Sequence, residues 1–161
     1  MSQEDRLDQP DDRCLVFRLG DELYATPLLQ VREVVGYLAP KAVPNSHDSF
    51  LGVINIRGEI VGVIDLRVKL GHAATVNERT CLLVFEVDDG VLAAVVDSVE
   101  SVTKMADDQI DRQPKIKSKI NLNYMLSIAK SKGGLVTIID MQKVLDSEDI
   151  LIISKHSKIA A

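Results

Sequence analysis

The chain has 161 residues and a formal net charge of −5 at pH 7, with 46% apolar and 27% charged residues. These are values typical of a globular protein, so we expect one ordinary domain or two small ones that share a core. The acidic balance argues against a general affinity for duplex nucleic acid or anionic lipid. No apolar run is long enough for a membrane-spanning helix, which argues against direct membrane insertion.

The chain begins with a strongly acidic segment. Residues 1–12 carry five carboxylates against one arginine, which predicts a disordered acidic tail. This segment lacks the basic and apolar pattern of a secretory signal, so we expect a cytoplasmic protein. Cys14 and Cys81 each lie beside an apolar run, and we interpret both as reduced thiols.

An internal repeat organises the remainder of the chain. Residues 15–35 align with residues 83–103 at an offset of 68, with identity at seven of 21 positions. Residues 58–70 align with residues 133–145 at an offset of 75, with identity at five of 13 positions. Self-similarity of this kind predicts two related structural units. Halves of this size are too small to be comfortable alone, so we expect a shared interface between them.

Each half is predicted to consist mainly of short strands separated by turn residues, as in small barrels or a sandwich. The predicted strands are 15–19, 23–26, 31–37, 51–56 and 59–66 in the first half, and 83–87, 91–96, 99–103, 124–129 and 135–141 in the second. Helix is sparse. Short helical turns are predicted at 65–70 and 140–145, each with an aspartate, Asp65 or Asp140, as a structural cap, and a C-terminal helix and tail at 147–161.

Residues that carry out chemistry are scarce. The three histidines share no ligand spacing with the cysteines, so we predict no metal site. No phosphate-binding loop, nucleophile motif or dinucleotide fingerprint is present, and we predict neither a cofactor nor an enzymatic activity. A basic stretch between residues 104 and 132 is either a solvated loop or a surface that faces a partner.

Arg57 and Gly58 form the tip of a predicted hairpin. A guanidinium there is either an ordinary exposed charge or a fork that grips a partner's carboxylate. Gly58 is expected to serve the turn. Gly52 lies inside the preceding strand, where glycine often marks a bulge or a close backbone approach.

The segment FLGVINIRGEIVGVIDLRVKLG, residues 50–71, closely resembles the CheW family of bacterial chemotaxis coupling proteins. The motifs VREVVGY, VPNSHDSFLG, VVDSVESV and GGLVTIIDMQKVL follow in family order, so the resemblance covers about residues 13–150. It implies a mainly β fold: two intertwined five-stranded SH3-like barrels around a shared aliphatic core, with the first strand exchanged between halves 15–78 and 80–146. Gly62 departs from the family, which usually has proline there.

The resemblance also implies a non-enzymatic adaptor that joins chemoreceptors to the regulatory domain of a CheA-type histidine kinase. The implied receptor contacts are Glu33, Gly52, Asn55 and Arg57. The implied kinase contacts are Leu15, Leu28 and Val31, although plain core positions are an equally good interpretation of these three. A second kinase contact, which closes rings of alternating domains, is implied at Arg112, Lys115 and Ile116.

Such a protein is expected to be a monomer when free and to be recruited from the cytoplasm to membrane-associated receptor arrays. Its partners would be the kinase and the cytoplasmic tip of methyl-accepting chemoreceptors, not nucleic acid. A coupling protein of another chemosensory pathway, serving pilus motility or second-messenger control, remains an alternative. A small β-barrel that binds single-stranded nucleic acid is a remote one, because few aromatic residues are available to stack on bases.

Overall fold

A computed structural model describes residues 13–44, 48–87, 90–105, 110–111, 125–131 and 134–144. The described residues are mostly strand, as the repeat predicts. The strands are β1 Arg13–Leu19, β2 Glu22–Pro27, β3 Val31–Gly36, β4 Phe50–Ile56, β5 Glu59–Asp65, β6 Cys81–Val87, β7 Gly90–Val96, β8 Ser98–Lys104, β9 Ile110–Asp111, β10 Met125–Ser131 and β11 Gly134–Ile139. Two short helices follow β5 and β11, α1 at Leu66–Lys69 and α2 at Met141–Val144.

The strands form two sheets that exchange hairpins. One sheet has the order β8-β1-β2-β11-β10-β9, and the other has the order β3-β6-β7-β5-β4. The first hairpin of each half therefore lies in the sheet built from the rest of the other half. In both sheets this hairpin joins its neighbour through a parallel pair, β2 with β11 and β7 with β5. The expectation named only the first strand, whereas β1 and β2 move together and β6 and β7 move in return.

The exchanged hairpins are buried on both faces, which explains their continuous apolar sequences. In β1, Leu15 and Phe17 face a core shared between the sheets, while Val16 faces the interior of its own sheet. In β6, Phe85 faces the shared core and Val84 faces the interior of the other sheet. Aliphatic clusters of the described residues therefore lie inside each sheet and between the two. The helices close the shared core with Leu66, Leu70, Met141 and Val144.

Asp65 and Asp140 occupy the positions that precede the two helices. The Asp65 carboxylate accepts hydrogen bonds from the backbone N–H groups of Arg67 and Val68 at 3.0 and 3.4 Å, and so caps α1. The Asp140 carboxylate accepts from the N–H of Gln142 at 3.1 Å. The same local arrangement therefore begins each helix.

A buried arginine joins α1 to the start of β8. The Arg67 side chain is only 2% exposed, and its guanidinium forms a fork on the Asp65 carboxylate with two distances of 3.0 Å. Its third nitrogen donates to Asp97 at 2.9 Å and to the carbonyl of Thr75. Burial lowers the pKa of Arg67, but the hydrogen bonds to Asp65 and Asp97 outweigh that effect and raise it. The guanidinium is therefore a fully ionised internal cross-link.

The mainly β fold with two barrel-like sheets and few short helices is confirmed. One strand was not predicted: β9 has two residues and pairs with Ile128 and Ala129 of β10, which makes its sheet six-stranded. The predicted acidic tail at 1–12 and the predicted C-terminal helix and tail at 147–161 lie outside the described residues.

Candidate functional site

The tip of the β4–β5 hairpin is a two-residue turn formed by Arg57 and Gly58. Both residues have positive φ, 50° and 86° respectively, as a type I′ turn requires. The side-chain oxygen of Asn55 accepts a hydrogen bond from the Gly58 N–H at 2.8 Å and holds the turn. The turn thus fixes the direction in which the Arg57 side chain, 66% exposed, leaves the surface.

Arg57 reaches across the sheet to an acidic residue of β3. Its guanidinium donates to the Glu33 carboxylate, whose side chain is 26% exposed. A second, oppositely oriented ion pair joins Arg32 of β3 to Glu59 of β5 at 3.2 Å. Strand β3 and the β4–β5 hairpin lie at opposite ends of the strand order, so these pairs show that the sheet curls until its ends meet. Glu33, Asn55 and Arg57 therefore belong to one polar surface along this seam.

Gly52 lies in the same strand but is buried, and its role in the structure is steric. Its φ is 138°, and the register of β4 against β5 shifts between Phe50 and Gly52, which marks a bulge. A Cβ atom at Gly52 would lie 1.9 Å from the carbonyl oxygen of Lys41. The neighbouring Val53 exchanges two backbone hydrogen bonds with Lys41, at 2.8 and 3.0 Å. Gly52 thus lets the chain preceding β4 lie directly on the strand that carries Arg57.

The three residues implied as kinase contacts all belong to the shared core or pack against it. Leu15 is 3% exposed, which leaves it almost no surface for a partner. Leu28 and Val31 are both half-buried. Leu28 begins the single 3-10 turn Leu28–Gln30, and Val31 is its C-cap. They pack on the core while their neighbour Leu29 is 73% exposed.

An open cleft of about 370 Å³ lies beside this turn. Its lining includes the apolar side chains of Leu29, Val31, Phe85 and Met141, and the polar side chain of Gln142. The side-chain oxygen of Gln30 accepts from the Met141 N–H at 3.3 Å, which ties the turn to the start of α2. No sequence pattern indicated this cleft, because its lining comes from three distant segments.

The remaining expectations concern a second kinase contact, a metal site and a membrane-spanning helix. Arg112, Lys115 and Ile116 lie outside the described residues, so the second kinase contact stays a prediction. Within the described part of the chain, no group of three His, Cys, Asp or Glu side chains could hold a metal ion. No described helix is long and apolar enough to cross a membrane.

Comparison with known proteins identifies the family. The model of the CheW-like domain matches residues 13–149, nearly the whole chain. The chain belongs to the CheW-like family. The chemotaxis protein CheW of Klebsiella aerogenes is 31% identical over 145 residues, covering 89% of this chain and 87% of that protein. CheW of Helicobacter pylori is 32% identical over 133 residues, covering 82% and 80%.

A solved structure shows the same fold. The crystal structure of the scaffolding protein TtCheW from Thermoanaerobacter tengcongensis matches with a TM-score of 0.77 at 25% identity. The match covers 86% of this chain and 90% of that one. The CheW-like family is a family of chemotaxis scaffold proteins, so this chain's surfaces are the place to look for its function.

Two residues of the seam were missed from the sequence. Arg32 and Glu59 form its second ion pair, and neither stood out, because charged residues on exposed strand positions are common.

The buried Arg67 was also missed, although the repeat contained a signal for it. Arg67 is aligned with Gln142, two residues after a shared aspartate, and this mismatch marks a position at which the two halves differ in structure.

Proposed function

We propose that this protein couples the cytoplasmic tips of chemoreceptors to the regulatory domain of a CheA-type histidine kinase at membrane-associated receptor arrays. The observation that carries the proposal is Arg57, an exposed guanidinium held on a rigid turn within a CheW-like chain. The seam between β3 and the β4–β5 hairpin is the proposed receptor surface. Glu33, Asn55 and Arg57 would contact the receptor, and Gly52 would support them from beneath.

The chemistry of the seam suits reversible recognition. The Arg57–Glu33 pair is exposed, so water screens it and it adds little to stability. A receptor carboxylate or backbone carbonyl could therefore share or replace Glu33 as the acceptor at small energetic cost. The planar fork of arginine gives such a contact a defined direction.

The kinase is proposed to bind a separate, apolar surface at Leu28 and Val31, with Leu15 supporting them from the core. Both are half-buried and packed on the shared core, so a partner would cover them without unfolding the sheets. A second contact at Arg112, Lys115 and Ile116 would let the two proteins alternate in a ring. Signal transmission then requires assembled states that bind the partners differently, with no reaction on this chain.

The test is receptor-dependent activation of the kinase, measured as kinase autophosphorylation with receptor-containing membranes. We expect Arg57→Glu to reduce activation by about tenfold, because it places two carboxylates together at the seam and removes the donor. Arg18→Glu is the matched control, since Arg18 also forms an exposed ion pair with a glutamate, Glu100, at 3.1 Å. Activation should change less than about twofold in that control.

Calorimetric titration into the kinase regulatory domain separates the two contacts. Arg57→Glu should bind the kinase as tightly as the unchanged protein does, because Arg57 is not among the proposed kinase contacts. Full activation by Arg57→Glu would contradict the receptor surface. Absence of kinase binding by the unchanged protein would contradict the coupling function with this kinase, and kinases of other chemosensory pathways would be titrated next.

A further inference from the structure

The open cleft beside α2 has a counterpart beside α1. The offsets of 68 and 75 residues that relate the two halves carry each lining residue of the cleft to a definite position. The ion pairs show that these positions correspond in space. Arg32 pairs with Glu86 across the cleft at 3.6 Å, and the corresponding residues, Glu100 and Arg18, pair at 3.1 Å with the charges reversed.

Beside α1 the corresponding place is filled. The Arg67 guanidinium lies there, bonded to Asp97 at 2.9 Å and to the carbonyl of Thr75. Thr75 belongs to the chain that follows α1, six residues beyond Lys69, the last residue of that helix. The segment after the helix therefore turns back and closes the site by polar contacts.

At the cleft beside α2 the two charged partners are replaced, and the threonine that supplies the carbonyl corresponds to an isoleucine. Gln142 corresponds to Arg67 and is exposed, Leu29 corresponds to Asp97, and Ile150 corresponds to Thr75. The Arg67–Asp97 ion pair thus has no charged counterpart at these positions, and two apolar residues, Leu29 and Ile150, take the positions of Asp97 and Thr75. Beside the Arg32–Glu86 pair, the cleft offers an occupant the apolar side chains of Leu29, Val31, Phe85 and Met141.

We propose that the segment 145–161 of this chain occupies the cleft and packs Ile150 against Leu29. The segment begins directly after Val144, the last residue of α2, and two other residues of that helix line the cleft. Ile150 is six residues beyond the end of α2 at Val144, just as Thr75, whose carbonyl contacts Arg67, is six residues beyond the end of α1 at Lys69. Burial of the exposed Leu29 side chain, and not a buried ion pair, would drive this docking.

Disulfide trapping tests the occupant in the full chain. Leu29→Cys with Ile150→Cys is compared with Val76→Cys with Ile150→Cys, both in a Cys14→Ala and Cys81→Ala background. Val76 is an exposed residue of the loop after α1 and serves as the matched control. Under mild oxidation the first pair should form an intramolecular disulfide, seen on a non-reducing gel as a fast-migrating monomer, and the control should not.

Three outcomes would overturn the proposal. A disulfide formed only between molecules would assign the cleft to a second copy of the chain. Equal trapping of both pairs would mean that the segment has no preferred site. No trapping of the first pair, with a normal circular dichroism spectrum, would leave the cleft without this occupant.

Hydrogen exchange provides a test that leaves the described residues and both cysteines unchanged. In Ile150→Asp, the amides of Leu29–Arg32 should exchange about tenfold faster than in the unchanged protein, because a carboxylate cannot be buried against leucine. Ile159→Asp, the same change further along the segment, should leave those amides unaffected. Unaltered exchange in Ile150→Asp would count decisively against the docking.

Discussion

At the tip of the β4–β5 hairpin, Arg57 combines an unfavourable backbone with a useful side chain. A φ of 50° lies in the left-handed region, which costs a non-glycine residue about 1–2 kcal/mol, and asparagine or glycine is preferred in such turns. The exposed ion pair with Glu33 returns at most about 1 kcal/mol. Stability alone therefore does not favour arginine here, which supports a role for its guanidinium in recognition.

Gly52 makes a sharper demand, because there is no space for any side chain. We predict that Gly52→Ala lowers the free energy of unfolding by more than about 2 kcal/mol, since its Cβ would collide with the Lys41 carbonyl and its φ is 138°. Gly36→Ala is the control, because nothing lies within 4 Å of the position that its methyl group would take. Urea unfolding of both variants checks this, and equal stabilities would contradict the steric role.

Tyr24 carries a pH dependence that can be isolated. Its hydroxyl donates to Glu22 at 2.7 Å and lies 2.9 Å from the His72 ring nitrogen. Burial, then the hydrogen bond and charge of Glu22, raise the pKa of Tyr24 above its ordinary value of 10.0. As the pH rises, the Tyr24 hydroxyl therefore ionises in the unfolded chain before it ionises in the folded protein. The stability that the protonated Tyr24 contributes is complete below about pH 10, the ordinary pKa of tyrosine, and is lost as the pH rises above it.

We expect the unfolding free energy to fall between about pH 9 and pH 11, and to fall less steeply in Tyr24→Phe. Burial also raises the pKa of the Cys81 thiol, partly offset by a hydrogen bond with the Val99 backbone. That group changes stability in the same direction in both proteins and cancels in the comparison. Parallel pH profiles of the two proteins, from urea unfolding, would show that Tyr24 does not contribute.

At the scale of elements, the α1 junction depends on Arg67 far more than the α2 junction depends on Gln142. Arg67→Ala should cost about 3–5 kcal/mol of unfolding free energy, because it leaves the buried Asp65 carboxylate without its cation. Gln142→Ala should change it by less than about 0.5 kcal/mol, because Gln142 is exposed. Chemical denaturation measures both, and a small effect at Arg67 would show that solvent reaches Asp65.

The elements themselves were largely readable from the sequence. Apolar runs and turn residues predicted ten of the strands to within a few residues. The repeat predicted that the two halves would contain corresponding strands. Strand β9 was not readable, because two residues pair with β10 only through the tertiary fold. The full hairpin exchange was not readable either, since β1–β2 and β6–β7 have the same pattern and fit either sheet. Arg57 was singled out as a candidate from the predicted turn, but its pairing with Glu33 could be seen only in the curled sheet.

At the scale of the molecule, the exchange leaves neither half with a core of its own. In one sheet Arg13 of β1 pairs with Lys104 of β8, and in the other Gly62 of β5 pairs with Leu92 of β7, so each sheet needs strands from both halves. We predict a single unfolding transition in which calorimetric and van't Hoff enthalpies agree. Two separate transitions, or a folded fragment of residues 13–78 alone, would contradict this interdependence.

The exchange also delays the pairing of the β1–β2 hairpin during protein synthesis. The β1–β2 hairpin, which ends at Pro27, is translated well before its neighbours β8 and β11, which begin at Ser98 and Gly134. Until then its two apolar faces have no native partner, and pairings between such distant segments form slowly. The nascent chain therefore carries an exposed, strand-forming segment until β8 and β11 have been made, the period in which a molecular chaperone would be needed to keep it from aggregating.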